Sequence, residues 1–494
     1  MKDIKNILNE RPHIVYGVLL FLAGVFIFFN NNYTYFWYDE GYTISLIRRS
    51  YVDIWNLTAG DVHPPLYYYL LKAYSSLTGD SILNLRFFSA IPVLLTILVG
   101  CTLIRKLWGD KVAATFIVII LLTPTTQYMA SEIRMYSWSM FLVFLTALFG
   151  YLSYKKDKKV YIILFFLFSL LAAYTHYYAL LAVFAVYAIY FVLSIVYNRK
   201  KLVAFLACSF LFVIGFLPWL IHLVDQVTTV SSEYWIGTNF LSGLIEYFYP
   251  VAAFKHAGID WLDNRKIEIL IPILFSLFLL WSVLRAKKKQ VSFEGVSALV
   301  VFLFPIFVGL VYSFLFRPIF AARYISCSMG LYYLAFALFV SIVDLSKRGN
   351  EVILILFLSI MTIASVVSLS NKVKFDTGRS LEYQEIVSYM SKSKAENTAV
   401  LYYNNIDYPF PILLPGYAHI LKTDSERVPF PVIDDAFEHV EIKAYENISS
   451  QYKTVFAINL DKEALNSPEM TRNFDVIGSC QIRGYDIFEL KRKE

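Results

Sequence analysis

Six short stretches of the chain carry residues that could do chemistry, and each stands where an apolar run ends or restarts. Asp39 and Glu40 lie in "FWYDEGYT". Asp61 and His63 lie in "DVHPPLYYY", and Glu132, Arg134 and Tyr136 in "SEIRMYSW". His176, Tyr177 and Tyr178 lie in "THYYAL". Arg317 precedes Pro318, and Arg323 precedes Tyr324 at the start of a late apolar run. A carboxylate held about 3 Å from a hydroxyl can take its proton. An arginine fork fits phosphate oxygens two at a time. Ionisable groups near membrane depth are expensive and mark functional sites by default.

Each stretch also has a plainer use. Asp39 and Glu40 would serve as well in a solvated helix end. Glu132 and Arg134 suit a structural ion pair as readily as a substrate contact. His63 would be an ordinary loop histidine but for the stiffness of Pro64-Pro65, and His176 in a tight turn fits a structural role. Arg317 could snorkel to an interface. The tyrosine clusters fit an interface belt.

The elements that must position these residues follow from composition. Of 494 residues, 58% are hydrophobic and 17% charged, against roughly a quarter charged in a soluble domain. The excess recurs as runs of about 20 residues, the length that crosses about 30 Å of hydrocarbon. About eleven spans are expected, near 14–30, 81–104, 112–124, 137–154, 160–174, 177–197, 202–224, 267–284, 296–315, 324–343 and 351–370. The first has no small-residue cleavage site after it and is expected to stay in place. The net charge of +6 does not point to nucleic acid. Its lysines and arginines concentrate in "RKLWGDK", "YKKDKK", "NRKK", "RAKKK" and "DLSKRGN". The positive-inside rule puts these loops and the N-terminus in the cytoplasm. The six polar stretches then share the outer face, which suggests one cavity.

Two outer loops are long, 31–80 and 225–266. In the first, Ile44, Ile47, Tyr51, Ile54 and Trp55 have the spacing of one helix face, expected to lie along the interface. From about residue 371 charges become common. "RSLEYQEIVSYMSKS" reads as a helix, "TAVLYYN" and "KTVFAINL" as strands, and "FDVIGSCQI" and "YDIFELK" as a hairpin turning at Arg483-Gly484. The expected fold is an all-α polytopic membrane domain over 1–370, followed by a small extracytoplasmic α/β domain over 371–494. The four cysteines offer no disulfide framework and no metal motif.

"WYDEGYT", "DVHPPLYYYLLKAYSSLTGDSILNLRFFS", "SEIRMYSW", "THYYAL" and "FAARYISCSMG", in this order, resemble the membrane-embedded GT-C glycosyltransferases of family 39. These are bacterial relatives of protein O-mannosyltransferases and lipid A aminoarabinose transferases. The resemblance implies a GT-C fold and transfer of a sugar from a polyprenyl phosphate, on the outer face, to an acceptor hydroxyl of an envelope glycan, lipid or protein. It makes Asp39 the candidate catalytic base with Glu40 close behind. Arg323 becomes the ligand of the donor phosphate, helped by Arg134, His63 or Arg317. Asp61, Glu132, Tyr136, His176, Tyr177 and Tyr324 are expected around the substrate. The chain departs from the family in carrying His63 where aminoarabinose transferases commonly have lysine. It also lacks the large domain that eukaryotic O-mannosyltransferases insert in the second long loop.

A phosphate leaving group needs cations rather than an acid, so one base and direct displacement, with inversion, suffice. A retaining route would need a nucleophile such as Glu132. Asp39, Glu40, Asp61 and Glu132 could also give a divalent cation its oxygen ligands; the arginines already supply positive charge, so the cation is an alternative and not the main expectation. The rival reading is a transporter or flippase of lipid-linked sugars. Transporter sites sit near the midplane between repeats, whereas this chain shows no repeat and gathers its charge at one face.

Overall fold

The computed structural model describes residues 12–31, 38–229, 277, 289–344, 347–360, 362–363, 366, 385–386, 388–390, 398–402, 453–458 and 465–493. Helices α1 (Pro12–Asn31), α2 (Tyr38–Ile47), α3 (Tyr51–Ala59) and α4 (Leu66–Thr78) open the chain. Helix α5 (Ile82–Val99) continues through a π turn, Gly100–Ile104, to Trp108. Then come α6 (Asp110–Leu122), α7 (Pro124–Ser131), α8 (Tyr136–Lys155), α9 (Lys159–Ala173), α10 (Tyr177–Tyr197) and α11 (Lys200–Thr229). Helix α12 (Lys289–Leu315) is followed by a 3₁₀ segment, Ala322–Ser328, which leads into α13 (Met329–Ser341), and residues 348–360 form α14.

Nine of the eleven expected spans coincide with helical segments; 351–370 is helical over 351–360 and only partly described beyond, and 267–284 lies outside the described residues apart from Leu277. Most of the second long loop lies outside them too. Among the described residues six helices are long and apolar enough to cross a membrane, including Ile82–Trp108, Tyr136–Lys155, Tyr177–Tyr197 and Arg323–Ser341. A pair bent by 68°, Asp110–Leu122 with Thr125–Ser131, would make a seventh. The bend has a local cause. Thr123 is extended at φ −92°, ψ 114°, as a residue before proline prefers, and Pro124 restarts the chain at the first position of α7. The protein is a multi-pass membrane protein.

The described residues fall into two units. The first takes those within 1–32, 49–79 and 83–373, and the second those within 33–48, 80–82 and 374–494. In the first unit α8 packs along α9, α10 and the 3₁₀ segment, while α13 packs on α6 and α12. Helix α13 is buried along nearly its whole length, as a helix apolar on every side must be. Glycines set the closest approaches. A Cβ on Gly295 of α12 would sit 2.7 Å from the Phe339 ring of α13, and one on Gly309 would collide with the Tyr178 hydroxyl.

The helical face expected across residues 44–55 is divided between α2 and α3. Ser50 stops it by capping α3: its hydroxyl accepts from Asp53 N–H at 3.1 Å, while the Asp53 carboxylate accepts from Ser50 N–H at 3.2 Å. This reciprocal capping box satisfies two end donors that a continuous helix would not leave open.

The second unit contains α2 and a four-stranded sheet of β1 (Thr398–Tyr402), β2 (Thr454–Ile458), β3 (Phe474–Ile482) and β4 (Tyr485–Arg492), with helix α15 (Pro468–Asn473) before β3. The order is β1-β2-β4-β3, with β1 parallel to β2 and the other pairs antiparallel. Strand β2 is buried throughout, as a central strand should be. The hairpin turns at Arg483 and Gly484, with φ of 47° and 92°, the two positive values of a tight primed turn. Arg483 also grips the Glu385 carboxylate with two bonds of 2.9 Å, tying the helical residues 385 and 386 to the turn.

Candidate active site

In the first unit, the loop before α4, the break between α7 and α8, the start of α10 and the 3₁₀ segment converge. His63 is brought in by a loop whose Pro64 and Pro65 are both buried. The next residue, Leu66, donates its N–H to Tyr174 O at 3.1 Å, which ties the loop to the end of α9. The His63 ring lies 5.2 Å from that of His176 and 6.3 Å from that of Tyr324. His176 in turn lies 4.9 Å from Tyr324, 5.9 Å from Tyr136 and 5.9 Å from Tyr178. Tyr178 is held by its hydroxyl, which donates to Ile319 O at 3.2 Å.

Arg134 and Arg323 supply the charge. Arg134 is buried and donates to the Tyr68 hydroxyl at 3.2 Å. Its backbone N–H is held by Glu132 O at 2.7 Å, while the Glu132 carboxylate accepts from Tyr128 at 3.0 Å. The Arg323 guanidinium lies 5.9 Å from the Tyr324 ring.

The protonation states follow from the surroundings. Burial holds His176 down to about 3, with Arg134 and Arg323 adding repulsion. Burial likewise holds His63 well below the ordinary imidazole range, reinforced by Arg134, His176 and Arg323. Both rings are therefore neutral near pH 7. His176 caps α10 by accepting Tyr178 N–H on Nδ1 at 3.0 Å, which assigns the proton to Nε2. Among the described residues nothing bonds His176 Nε2, His63 Nδ1 or the Tyr136 hydroxyl, and all three atoms are buried. Buried polar atoms are normally paired, so three together mark a place built for something else to fill. Two guanidiniums, two neutral imidazoles and a phenol can hold an anion and hydrogen-bond a polar group beside it.

The remaining expected residues have the following surroundings. The Tyr177 hydroxyl donates to the Gln226 side chain and accepts from Trp219 Nε1 at 3.0 Å, and Gln226 donates to Thr58 O at 3.0 Å and Ala59 O at 2.9 Å. Together these bonds link α3, α10 and α11. Asp61 lies within electrostatic reach of the same phenol. Arg317 donates to Val227 O at 2.9 Å, near the end of α11, where a cation suits the helix dipole. Asp39 and Glu40 belong to the second unit. They form the first turn of α2, where acids suit the dipole; Asp39 O accepts from the Thr43 hydroxyl at 2.9 Å, Asp39 is half-buried and Glu40 buried. No three His, Cys, Asp or Glu side chains gather as metal ligands among the described residues.

Two buried residues escaped the reading of the sequence. Arg86 of α5 is wholly buried; its only signal is one arginine within an apolar run. Tyr68 was read as belt, but its hydroxyl is where Arg134 rests.

Residues 62–222 match the family model described as dolichyl-phosphate-mannose-protein mannosyltransferase. The matched stretch carries His63, Arg134, Tyr136 and His176. Two crystal structures of ArnT from Cupriavidus metallidurans, one in the apo state and one bound to undecaprenyl phosphate, share the fold. Each has a TM-score of 0.61 at 12% sequence identity, with 97% of this chain and 98% of that chain covered. Over residues 62–222 the chain is similar to a glycosyltransferase family, and it shares the ArnT fold. No curated protein sequence matches it. The likeness to the ArnT structures extends over nearly the whole chain, well beyond the segment the family model matches.

Proposed function

We propose that this chain is a glycosyltransferase that takes its sugar from a polyprenyl-phosphate donor and passes it to an acceptor hydroxyl in the cell envelope, on the outer membrane face. The observation that carries the donor assignment is the cluster of Arg134 and Arg323 around two histidines kept neutral by burial. Such a site attracts a phosphate while leaving Nε2–H of His176 and Nδ1 of His63 for neutral hydrogen bonds. The ArnT structure bound to undecaprenyl phosphate supports the same donor class.

On this reading Arg323 binds the donor phosphate with help from Arg134, and both neutralise the charge that develops as the phosphate departs. Asp39 takes the acceptor proton, and Glu40, next to it in the helix, orients a neighbour. One base and a charged leaving group give inversion at the anomeric carbon. The N-terminus lies in the cytoplasm. Residues 371–494 form an extracytoplasmic domain that braces the outer loops or helps recognise the acceptor.

The test is to incubate the purified protein with a panel of polyprenyl-phosphate sugars and follow release of free polyprenyl phosphate. One or more donors should be consumed by the parent protein and spared by Arg323→Ala. Consumption of none, with transport of an intact lipid-linked sugar in reconstituted vesicles, would replace the transferase reading by a flippase.

A further inference from the structure

Among the described residues, His176 Nε2, His63 Nδ1 and the Tyr136 hydroxyl are buried polar atoms with bonds still to make. Their residues are 2%, 6% and 1% exposed. They come from three elements: the cap of α10, the proline-stiffened loop before α4 and the first turn of α8. The His176 ring joins them, 5.2 Å from His63 and 5.9 Å from Tyr136. Tyr324 completes the group, 4.9 Å from His176 and 6.3 Å from His63. Its neighbour in the chain is Arg323, the proposed phosphate ligand, so a group filling this place lies beside the phosphate.

The chemistry of these atoms narrows the occupant. His176 Nδ1 already accepts Tyr178 N–H at 3.0 Å, so Nε2 carries the proton and can only donate. An ammonium has donors and no acceptor, and would meet His176 with N–H facing N–H. A hydroxyl both accepts and donates. It can accept from His176 and give its own proton to His63 Nδ1 or the Tyr136 oxygen. Charge points the same way. The charges felt at both histidines are those of Arg134 and Arg323. At Tyr136 each of the same two outweighs Glu132, whose carboxylate accepts from Tyr128 at 3.0 Å. A lipid-phosphate sugar is a phosphodiester with a single negative charge, which does not offset two guanidiniums. A cation buried here would be repelled by them; a neutral polyol would not.

We infer that His63, His176 and Tyr136 form the subsite of the transferred sugar, that they hydrogen-bond its ring hydroxyls, and that the sugar carries no amino group where it meets them. The donor is then a polyprenyl-phosphate neutral sugar rather than a polyprenyl-phosphate amino sugar. This subsite rests on the transferase reading, which supplies the neighbouring phosphate. Its three residues select and position the sugar, while the acceptor proton and the leaving phosphate fall to Asp39 and the arginines.

Binding, read apart from turnover, tests it. The purified full-length protein is titrated with undecaprenyl-phosphate mannose, glucose and galactose, each beside its amino-deoxy counterparts, and with sugar-free undecaprenyl phosphate. At pH 7 the tightest neutral sugar lipid should lose at least about tenfold in affinity when an amino group replaces a hydroxyl at one or more ring positions, the size of one hydrogen bond left unmade. Tyr136→Phe and His63→Leu should each weaken that lipid about tenfold and leave sugar-free undecaprenyl phosphate within about twofold. The retained binding also shows that each variant is folded. A neutral sugar lipid bound in this way but never cleaved would support the subsite and fail the transferase reading. Four results would each overturn the inference: no sugar lipid bound more tightly than the sugar-free one, amino groups tolerated at every ring position, unchanged affinity for the neutral sugar lipid in both variants, or an equal loss of the sugar-free lipid, which would put these side chains on the phosphate.

Discussion

The two ends of the first unit use charge in opposite ways. At one end two arginines face histidines that burial keeps neutral, and three buried polar atoms have no partner among the described residues. At the other end the Glu294 carboxylate accepts from Trp108 Nε1 and the Tyr151 hydroxyl at the mouth of an apolar cavity. The first end gathers cations and polar atoms with bonds still to make; the second uses its acid to join two aromatic side chains. Sites that must stabilise developing charge gain from fixed donors aimed at one place. Helices α8 and α10 run between both ends, so variants along them can separate the two behaviours.

The largest expected effect is at the proposed base. Asp39→Asn should slow transfer by about 10²- to 10⁴-fold, the usual worth of a general base, in a purified donor-release assay. Next is Arg323→Ala, which should cost about 10²- to 10³-fold in turnover, as loss of one charge-stabilising donor does. Arg323→Lys should recover only part of this, because an ammonium lacks the planar fork. Gly309→Ala tests the packing beneath the first end. It forces the Tyr178 ring off its place beside Tyr324 and should cost about 1–3 kcal/mol of stability, read as a lowered thermal midpoint. Gly295→Ala should cost a similar amount through Phe339, again read as a lowered thermal midpoint, with less loss of donor turnover than Gly309→Ala.

The smallest effect is the pH dependence of the histidine pair. Both imidazoles have folded-state values below the unfolded value of about 6.5. The unfolded chain therefore binds more protons below that pH. Their contribution is intact above pH 6.5 and is lost as the pH falls from there toward 3, the value for His176. The thermal midpoint should drop over that window, and drop less steeply in His176→Gln.

How much of this was legible in the sequence differs by kind of feature. Helix positions were read well, because runs of about 20 apolar residues have few alternatives in a bilayer. The hairpin at Arg483-Gly484 was legible from its turn residues. The division of the 44–55 face into two helices was missed, although Ser50 and Asp53 carry the capping-box spacing, because periodicity alone does not see a cap. At the site, His63, Arg134, Tyr136, His176, Arg323 and Tyr324 were singled out from their place at the ends of apolar runs, and the fold brings them together. Tyr177 and Arg317 stand in the same kind of place, yet the Tyr177 hydroxyl bonds Gln226 and Trp219 and Arg317 donates to Val227 O. Position along the chain gives membrane depth but not the direction of a side chain. Glu294 gave no signal, because one acid after a basic loop looks solvated until Trp108 and Tyr151 are seen to hold it.

The central claim is that the arginine-histidine end binds a lipid-linked phosphate. Titrating the purified protein with undecaprenyl phosphate, and comparing it with Arg323→Ala and Arg134→Ala, tests this most directly. Saturable binding to the parent protein, weakened at least about tenfold in each variant as loss of a charge-assisted bond predicts, is the expected result. Equal affinity across the three proteins would contradict it.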